Sequence, residues 1–93
     1  MIQSFACRET ERFFQKRSTR SLPPNIQRVA LRKLTLLHAV TELRQLASPP
    51  GNRLEALRGD RKGQHSLRIN DQWRICFRWD SGGPTNVEIV DYH

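Results

Sequence analysis

The chain has 93 residues and carries 16 Lys and Arg against nine Asp and Glu, which gives a net charge of +7. This length fits one domain, and the charge indicates a polyanionic partner such as RNA, DNA or a ribosome, or an acidic protein. No apolar run approaches the roughly 18 residues of a membrane span, and the N-terminus lacks the apolar core of a signal peptide. We therefore predict a single domain over residues 1–93 that stays in the cytoplasm, with no membrane contact.

The first half of the chain predicts helices. Alternation of apolar and polar residues over Ile2–Phe5 predicts a short first strand, and Arg8–Lys16 is typical of a short amphipathic helix. Thr41 and the apolar residues that follow it predict one more short helix after a bend. We expect these helices to pack against a sheet formed by the second half.

The longest predicted helix begins at Pro23 and Pro24, because the first-turn amides of a helix need no intrahelical partner. It reaches about Ala39. Its apolar residues recur at helical spacing, at Ile26, Val29, Ala30, Leu34 and Leu37. The cations Arg28, Arg32 and Lys33 fall mainly off that apolar stripe.

The second half predicts strands. A loop rich in Pro and Gly, residues 47–52, precedes a strand candidate at 54–58. Residues 65–69 and 73–79 alternate with period two, and residues 86–90 predict a last strand after a turn at 81–84. The predicted fold is α/β in the α+β sense: a small twisted antiparallel sheet with the N-terminal helices packed on one face.

The apolar pattern selects the register of the central hairpin. A three-residue loop at 70–72 pairs Leu67 with Ile75 and gathers the apolar side chains on one face. A two-residue loop would mix apolar and charged side chains on that face. The three-residue loop is therefore predicted.

This register places Arg68 opposite Arg74 on the face away from the helices, with Arg78 further along. Like charges directly opposite each other destabilise a sheet. Either an anion lies between the guanidiniums, which we favour, or a nearby carboxylate such as Glu88 or Asp80 neutralises each of them.

The chain also carries three consecutive side chains suited to proton chemistry, Asp91, Tyr92 and His93. Cleavage of RNA by its own 2′-hydroxyl needs a base, an acid and fixed positive charge near the phosphate, which guanidiniums supply. His93 suits the acid or base role, Asp91 can orient it, and Tyr92 can stack on an unpaired base. A frayed chain end is the simpler interpretation of this tripeptide.

Other chemistries find less support. Cys7 and Cys76 lie far apart and form no CxxC pair, so we expect reduced thiols rather than ligands or a disulfide. His38, His65 and His93 lack the spacing of metal ligands, and no glycine-rich phosphate loop follows a strand. We expect neither a metal nor a nucleotide cofactor.

Four short motifs follow one another along the chain: LEALRGDRKG at 54–63, SLRIN at 66–70, WRICF at 73–77 and VEIVDYH at 87–93. Together they resemble the HigB toxins of bacterial toxin–antitoxin systems, in the RelE/ParE superfamily. The resemblance implies a compact RelE-like fold and a metal-independent, ribosome-dependent endoribonuclease that cuts mRNA in the A site. It also implies neutralisation by a HigA-type antitoxin with a helix-turn-helix domain, and binding of operator DNA only through the toxin–antitoxin complex.

The resemblance assigns roles by position. Arg74 matches the family's phosphate-stabilising arginine, Arg68 matches a basic strand position facing the site, and the last three residues match the terminal catalytic cluster. The expected catalytic set is His93, Asp91, Tyr92, Arg74, Glu55 and Arg68, and the expected RNA-binding set is Arg58, Arg61, Lys62 and Arg78.

Two positions depart from the family pattern. Some HigB enzymes have a catalytic histidine where this chain has Glu55, and a lysine where it has Arg58. A glutamate can still act as a base, with a reference pKa of about 4.3 that burial would raise, but without that shift it accepts a proton less well than an imidazole does. We therefore expect an mRNA interferase slower than its histidine-bearing relatives.

Two other functions stay open. A ParE-like gyrase poison has the same fold, but ParE proteins generally lack the terminal acid–base cluster. A non-catalytic module whose basic surface only binds a ribosome or another partner is kept open by Glu55.

Overall fold

The computed structural model describes residues 1–48 and 50–92. Within them lie helices α1 (Arg8–Lys16) and α2 (Pro24–Ala39), and strands β1 (Glu55–Ala56), β2 (His65–Arg68), β3 (Trp73–Asp80) and β4 (Gly83–Asp91). The strands form one antiparallel sheet in the order β1-β2-β3-β4. This architecture confirms the α+β class. Neither helix is long and apolar enough to cross a membrane.

Both helices carry the signals that sequence patterns predict. α1 has Glu9 and Glu11 in its first turn and Lys16 in its last, which suits the helix dipole. α2 takes Pro24 as its first helical residue and ends before Val40, which is extended. The predicted bounds of α1 and α2 are therefore confirmed.

The core lies between the helices and one face of the sheet. Its large apolar side chains are fully buried: Phe13, Leu34 and Leu37 from the helices, and Leu67, Ile75, Phe77 and Val87 from the strands. Truncating one of these large side chains to Ala typically costs about 2–5 kcal/mol. The helices thus cover one face of the sheet and leave the other face for the site.

The register of the central hairpin is confirmed. Leu67 pairs with Ile75, and Arg68 pairs with Arg74. Asn70 stabilises the turn, because its side-chain oxygen accepts the backbone N–H groups of both Gln72 and Trp73 at 2.8 Å. These two hydrogen bonds therefore hold the start of the turn to its end.

The N-terminal segment does not form the predicted strand at Ile2–Phe5. It makes an isolated parallel bridge between Phe5 and Val87, supported by the Ala6 N–H bonded to the Val87 carbonyl at 3.0 Å. The segment runs along the outer edge of β4 and leaves it after the bridge to begin α1.

Three further element bounds differ from the prediction. The strand expected at 54–58 shortens to Glu55–Ala56, because the chain turns into a 3₁₀ helix at Gly59–Arg61, where Gly59 has a φ of 63°. β4 begins at Gly83, since a tight turn at 81–82 replaces the longer one expected. The short helix after Thr41 is a single 3₁₀ turn, Leu43–Leu46.

Candidate functional site

One row of side chains crosses the open face of the sheet. Glu55 of β1 pairs with Ser66 of β2, Ser66 pairs with Cys76 of β3, and Cys76 pairs with Glu88 of β4. Residues that pair directly share a face. Arg74 lies in the neighbouring row of the same face, so the sheet brings an acid, a hydroxyl and a guanidinium together.

Arg74 is held by three neighbours. Its Nη1 donates a hydrogen bond to Ser66 Oγ at 3.1 Å, and its Nη2 lies 3.5 Å from Glu55 Oε1. Its guanidinium carbon lies 5.5 Å from the centre of the Tyr92 ring. A cation over an aromatic face contributes about 0.5–2 kcal/mol. The side chain is 17% exposed, so its orientation is largely fixed while its edge remains accessible.

The end of β4 is tied to the turn between β2 and β3. Asp91 pairs with Trp73 across the ladder, and Gln72 Nε2 donates to Asp91 Oδ2 at 3.0 Å. The Tyr92 N–H donates to the Gln72 carbonyl at 2.6 Å. These bonds bring Tyr92 to Arg74. His93, the predicted acid or base, lies outside the described residues.

A groove opens beside Arg74 along the edge strand. It has a volume of about 490 Å³ and is lined by Glu55, Ala56, Leu57, Arg58 and Tyr92. Ligand clefts in proteins typically measure about 300–1,000 Å³. The groove carries an aromatic ring and two charges of opposite sign, which suits one flexible nucleotide unit.

Arg68 has a carboxylate partner that the sequence did not indicate. Its Nη2 lies 2.6 Å from Asp71 Oδ1, and this hydrogen bond lowers the pKa of the Asp71 carboxyl. Arg74 likewise has Glu55. Each of the two facing arginines is therefore neutralised by a carboxylate, as the alternative to a bound anion predicted. The carboxylates are those of Asp71 and Glu55, however, and not those of Glu88 or Asp80.

Glu88 and Asp80 have other partners. Glu88 Oε1 accepts a hydrogen bond from Arg61 Nη1 at 2.9 Å, and this bond raises the pKa of Arg61. Asp80 Oδ2 accepts one from Thr85 Oγ1 at 2.9 Å. Because Arg68 and Arg74 both have carboxylate partners, charge balance no longer requires an anion between them, which was the favoured interpretation.

The four predicted RNA-binding cations occupy different environments. Arg58 and Lys62 are exposed, and Arg58 lines the groove. Arg61 is paired with Glu88, and the Arg78 guanidinium lies against Gly63, where an added Cβ would approach its Nη1 to 2.7 Å. Within the part of the chain that the structure describes, only Arg58 and Lys62 of the four are thus both exposed and outside any ion pair.

Glu55 is not the buried base that the sequence analysis considered. Its side chain is 51% exposed and lies beside the Arg74 guanidinium. Elsewhere in the sheet, burial raises the pKa of the Cys76 thiol and lowers the pKa of His65. Cys76 is fully buried on the open face, which keeps it a neutral thiol.

No three His, Cys, Asp or Glu side chains within residues 1–48 and 50–92 come together as a metal site would require. Sequence reasoning missed two residues that hold the site. Ser66 lies two positions before Arg68, so strand alternation alone would have placed it on the same face. Gln72 carries no such signal, because a loop glutamine has no preferred partner.

The fold and the site define a class: a small α+β protein whose open sheet face presents a fixed guanidinium beside a groove. The family model described as RelE-like toxin of type II toxin-antitoxin system HigB matches residues 3–93. The chain therefore belongs to the HigB family of type II toxin–antitoxin toxins.

Similar proteins agree with this assignment. The chain is 37% identical over 90 residues to Toxin HigB-1 of Vibrio cholerae serotype O1, covering 96% of this chain and 95% of the relative. It is 31% identical over 94 residues to Endoribonuclease HigB of Proteus vulgaris, covering all of both chains. A Haemophilus influenzae protein without an assigned function is 34% identical over 79 residues, covering 84% of this chain and 78% of that protein.

Proposed function

We propose that this toxin is a ribosome-dependent endoribonuclease that cleaves mRNA in the ribosomal A site and so stops translation and growth in the cytoplasm. The observation that carries the proposal is Arg74, held by Ser66 and Tyr92 at the mouth of a nucleotide-sized groove. The name of the Proteus vulgaris relative supports the endoribonuclease activity.

The proposed step is transfer of the scissile phosphate to the neighbouring 2′-oxygen. The 2′-oxygen attacks phosphorus and gives its proton to a base, while the bond from phosphorus to the 5′-oxygen breaks and an acid protonates that oxygen. The products are a 2′,3′-cyclic phosphate and a free 5′-hydroxyl, so atoms and protons balance. No cofactor enters this step.

Arg74 is assigned to the phosphate. A guanidinium presents planar N–H donors that meet phosphate oxygens bidentately, and it stabilises the charge that develops as the phosphorane forms. Its hydrogen bond to Ser66 and its contact with Tyr92 leave it oriented before RNA arrives. Glu55, 3.5 Å away, would be displaced from Arg74 by the phosphate and freed to accept the 2′-hydroxyl proton.

The terminal residues supply the remaining roles. His93 is assigned to protonate the 5′-oxygen, with Asp91 orienting it, and Tyr92 is assigned to stack on a base beside the cleaved bond. Arg68 is paired with Asp71 at the end of the hairpin, so we assign it to the approach of the RNA strand rather than to the reacting phosphate.

The open shape of the groove supports dependence on the ribosome. Its lining includes one aromatic ring, and Arg58 and Lys62 are exposed cations that belong to no ion pair within residues 1–48 and 50–92, while Arg61 and Arg78 are held by neighbours. A single RNA strand gains little affinity from so few contacts. A ribosome that already holds the message would supply the missing positioning.

The proposed regulator is a HigA-type antitoxin with a helix-turn-helix domain. Membership of a type II toxin–antitoxin family implies an antitoxin partner. We propose that this chain reaches operator DNA only through the complex with that antitoxin.

Cleavage of mRNA with and without programmed ribosomes tests the proposal, using wild type, Arg74→Ala, His93→Ala and the control Arg20→Ala. We expect cleavage only with ribosomes, and a loss of about 100-fold or more in both site variants, the size typical of removing one charge-stabilising donor. Arg20 is exposed on the loop before α2, so its variant should match wild type. Cleavage that survives Arg74→Ala would refute the assignment.

A second function rests on the exposure of Glu55. Because this carboxylate is paired with Arg74 and half exposed, the toxin can also act by binding alone, on the ribosome or on gyrase. Wild type that binds either target without cutting RNA would favour this alternative.

A further inference from the structure

A second groove lies away from Arg74, between α2 and the turn that precedes β1. It has a volume of about 370 Å³ and is lined by Arg32, Lys33, Leu36, Gly51 and Asn52. Its wall is mostly apolar, and it shares no lining residue with the groove beside Arg74. We call it the Lys33 groove.

Lys33 is a buried cation without a counter-ion. Only 6% of the residue is exposed, and its Nζ donates to the carbonyl of Gly51 at 2.8 Å and to the carbonyl of Arg68. None of the ion pairs found in the described part of the chain includes it. A lysine ammonium has three N–H donors, and these two carbonyls account for two of them.

The surroundings of Lys33 increase the cost of its charge. Burial lowers the pKa of Lys33, and the charges of Arg32 and Arg68 lower it further. Buried charges in proteins are normally paired, because an unpaired one loses its hydration without compensation. The carbonyls of Gly51, before β1, and Arg68, in β2, explain the position of the ammonium, but they do not neutralise it.

The rim of the groove is also positive. Arg32 lines it, and Arg28 is exposed one helical turn earlier, on the same side of α2. Neither arginine belongs to an ion pair among residues 1–48 and 50–92. The site therefore combines a recessed N–H donor, two exposed guanidiniums and an apolar wall at Leu36.

This combination selects one class of partner. A phosphate backbone is met by exposed cations, whereas an apolar wall in front of a recessed ammonium fits the aliphatic stem and carboxylate of a Glu or Asp side chain. Flanking apolar residues of the same segment would cover Leu36. A protein segment with an acidic residue beside an apolar one matches the recessed ammonium, the exposed guanidiniums and the apolar wall, whereas an RNA strand would match only the guanidiniums.

We propose that the Lys33 groove is the docking site for an acidic side chain of the antitoxin, whose carboxylate accepts the third N–H of Lys33 and pairs with Arg32. The identity of the partner rests on the proposed function, but the groove and its charge do not. A second groove for the antitoxin would let the complex form without competing for Arg74.

Binding of the full-length HigA-type antitoxin of the same module tests this proposal by calorimetry with the full-length toxin. We expect Arg32→Glu to weaken binding by about tenfold or more, and Lys33→Met by about 30-fold or more, as for other truncated partners of buried charge pairs. The matched control is Arg12→Glu, which makes the same charge reversal on an exposed residue of α1. It should bind like wild type.

Two further measurements keep the outcome decisive. If Lys33→Met fails to fold, Arg32→Glu still decides, because Arg32 is exposed. A charge reversal of single acidic residues in the antitoxin should restore binding to Arg32→Glu at one position and identify the docked carboxylate. Equal binding by Arg32→Glu and Arg12→Glu overturns the proposal.

The test does not depend on RNA cleavage. A toxin that binds the antitoxin through this groove but cuts no RNA would leave the inference standing and overturn the proposed activity. Weaker binding of the variants to ribosomes, with antitoxin binding unchanged, would assign the groove to RNA phosphate instead and overturn the inference.

Discussion

Arg74 depends on a neutral neighbour for its orientation. Its bond to the buried Ser66 hydroxyl is the shortest of its polar contacts, and the carboxylate of Glu55 lies further away. A hydroxyl can hold a guanidinium without competing strongly with phosphate for it, whereas a close carboxylate would. The Ser66 hydroxyl therefore orients the guanidinium of Arg74, and the longer contact with Glu55 leaves that guanidinium available to phosphate.

Ser66→Ala should lower the rate of cleavage on the ribosome by about tenfold to 100-fold, because it removes one hydrogen bond to a charged group, worth about 1.5–3 kcal/mol. Affinity for ribosomes should change little. Single-turnover rates at saturating ribosome concentration measure the effect, with the exposed Ser81→Ala as control. An unchanged rate would mean that Glu55 and Tyr92 suffice to orient Arg74.

Glu55→His should raise the cleavage rate. An imidazole has a reference pKa of about 6.5 and accepts a proton better near neutral pH than an exposed carboxylate does. The comparison is the rate in a ribosome assay, with Glu55→Gln as the variant that keeps the size and removes the base. A histidine variant no faster than wild type would contradict the base role of this position.

The sequence predicted the facing arginines but not their carboxylates. Strand alternation and the apolar pattern are local, so they place Arg68 opposite Arg74 correctly. The choice of Asp71 and Glu55 as partners depends on which side chains reach across a turn or a second strand. Such contacts depend on side-chain rotamers, which the period of a strand does not specify.

Among the elements, the turn between β2 and β3 does more than connect strands. Asn70 fixes its backbone, Asp71 holds Arg68, and Gln72 holds Asp91 and the Tyr92 N–H. The side chains of Asp71 and Gln72 thus each contact a residue of the site, and that of Asn70 fixes the turn itself. A loop that looked like a spacer in the sequence positions the end of β4.

The substitution Gln72→Glu should release the end of β4 from the turn between β2 and β3. It replaces the N–H donor to Asp91 with a second carboxylate, and two carboxylates in contact repel each other. Tyr92 is the only tyrosine of the chain, so its ring signals in an NMR spectrum report its position directly. They should move towards those of a solvated tyrosine.

Gln15→Glu, the same change on the exposed side of α1, is the control for this experiment. It should leave the tyrosine signals in place. Signals that are equally unchanged in Gln72→Glu would show that the backbone bond from Tyr92 alone holds the strand end.

The elements were predictable where their signals are local. α2 has its apolar stripe and its prolines, and the central hairpin has its alternation. The segment at Ile2–Phe5 has the same alternation, but its bridge to Val87 spans more than eighty residues of sequence. Its length and partner depend on where the sheet edge lies, which local patterns do not show.

At the scale of the whole molecule, the charge is distributed unevenly between two surfaces. The helical half carries exposed cations such as Arg28 and Arg32, whereas three of the seven cations of the sheet half, Arg61, Arg68 and Arg74, form ion pairs. The net charge of +7 therefore overstates what the open sheet face offers to RNA. Two surfaces with different partners explain the charge better than one.

Ribosome affinity should depend on salt through a few cations only. Each cation that contacts phosphate adds about one to the slope of log affinity against log salt concentration. Removing Arg58 and Lys62 together, as Arg58→Gln and Lys62→Gln, should lower that slope by about two. Affinity measured by filter binding over a series of KCl concentrations gives the slope.

The double variant Arg12→Gln and Lys16→Gln removes the same charge from exposed positions of α1 and is the matched control. It should keep the wild-type slope. An equal reduction in both double variants would mean that ribosome binding depends on net charge rather than on the groove.

The bridge between Phe5 and Val87 has a consequence for how the protein is made. The N-terminal segment cannot find its place until β4 has left the ribosome, because β4 is the strand it pairs with. The same strand delivers Asp91 and Tyr92 to Arg74. Folding of the N-terminal segment and assembly of the site thus share one step, the emergence of β4, and a nascent chain that stalls before β4 has neither a complete sheet nor an assembled site.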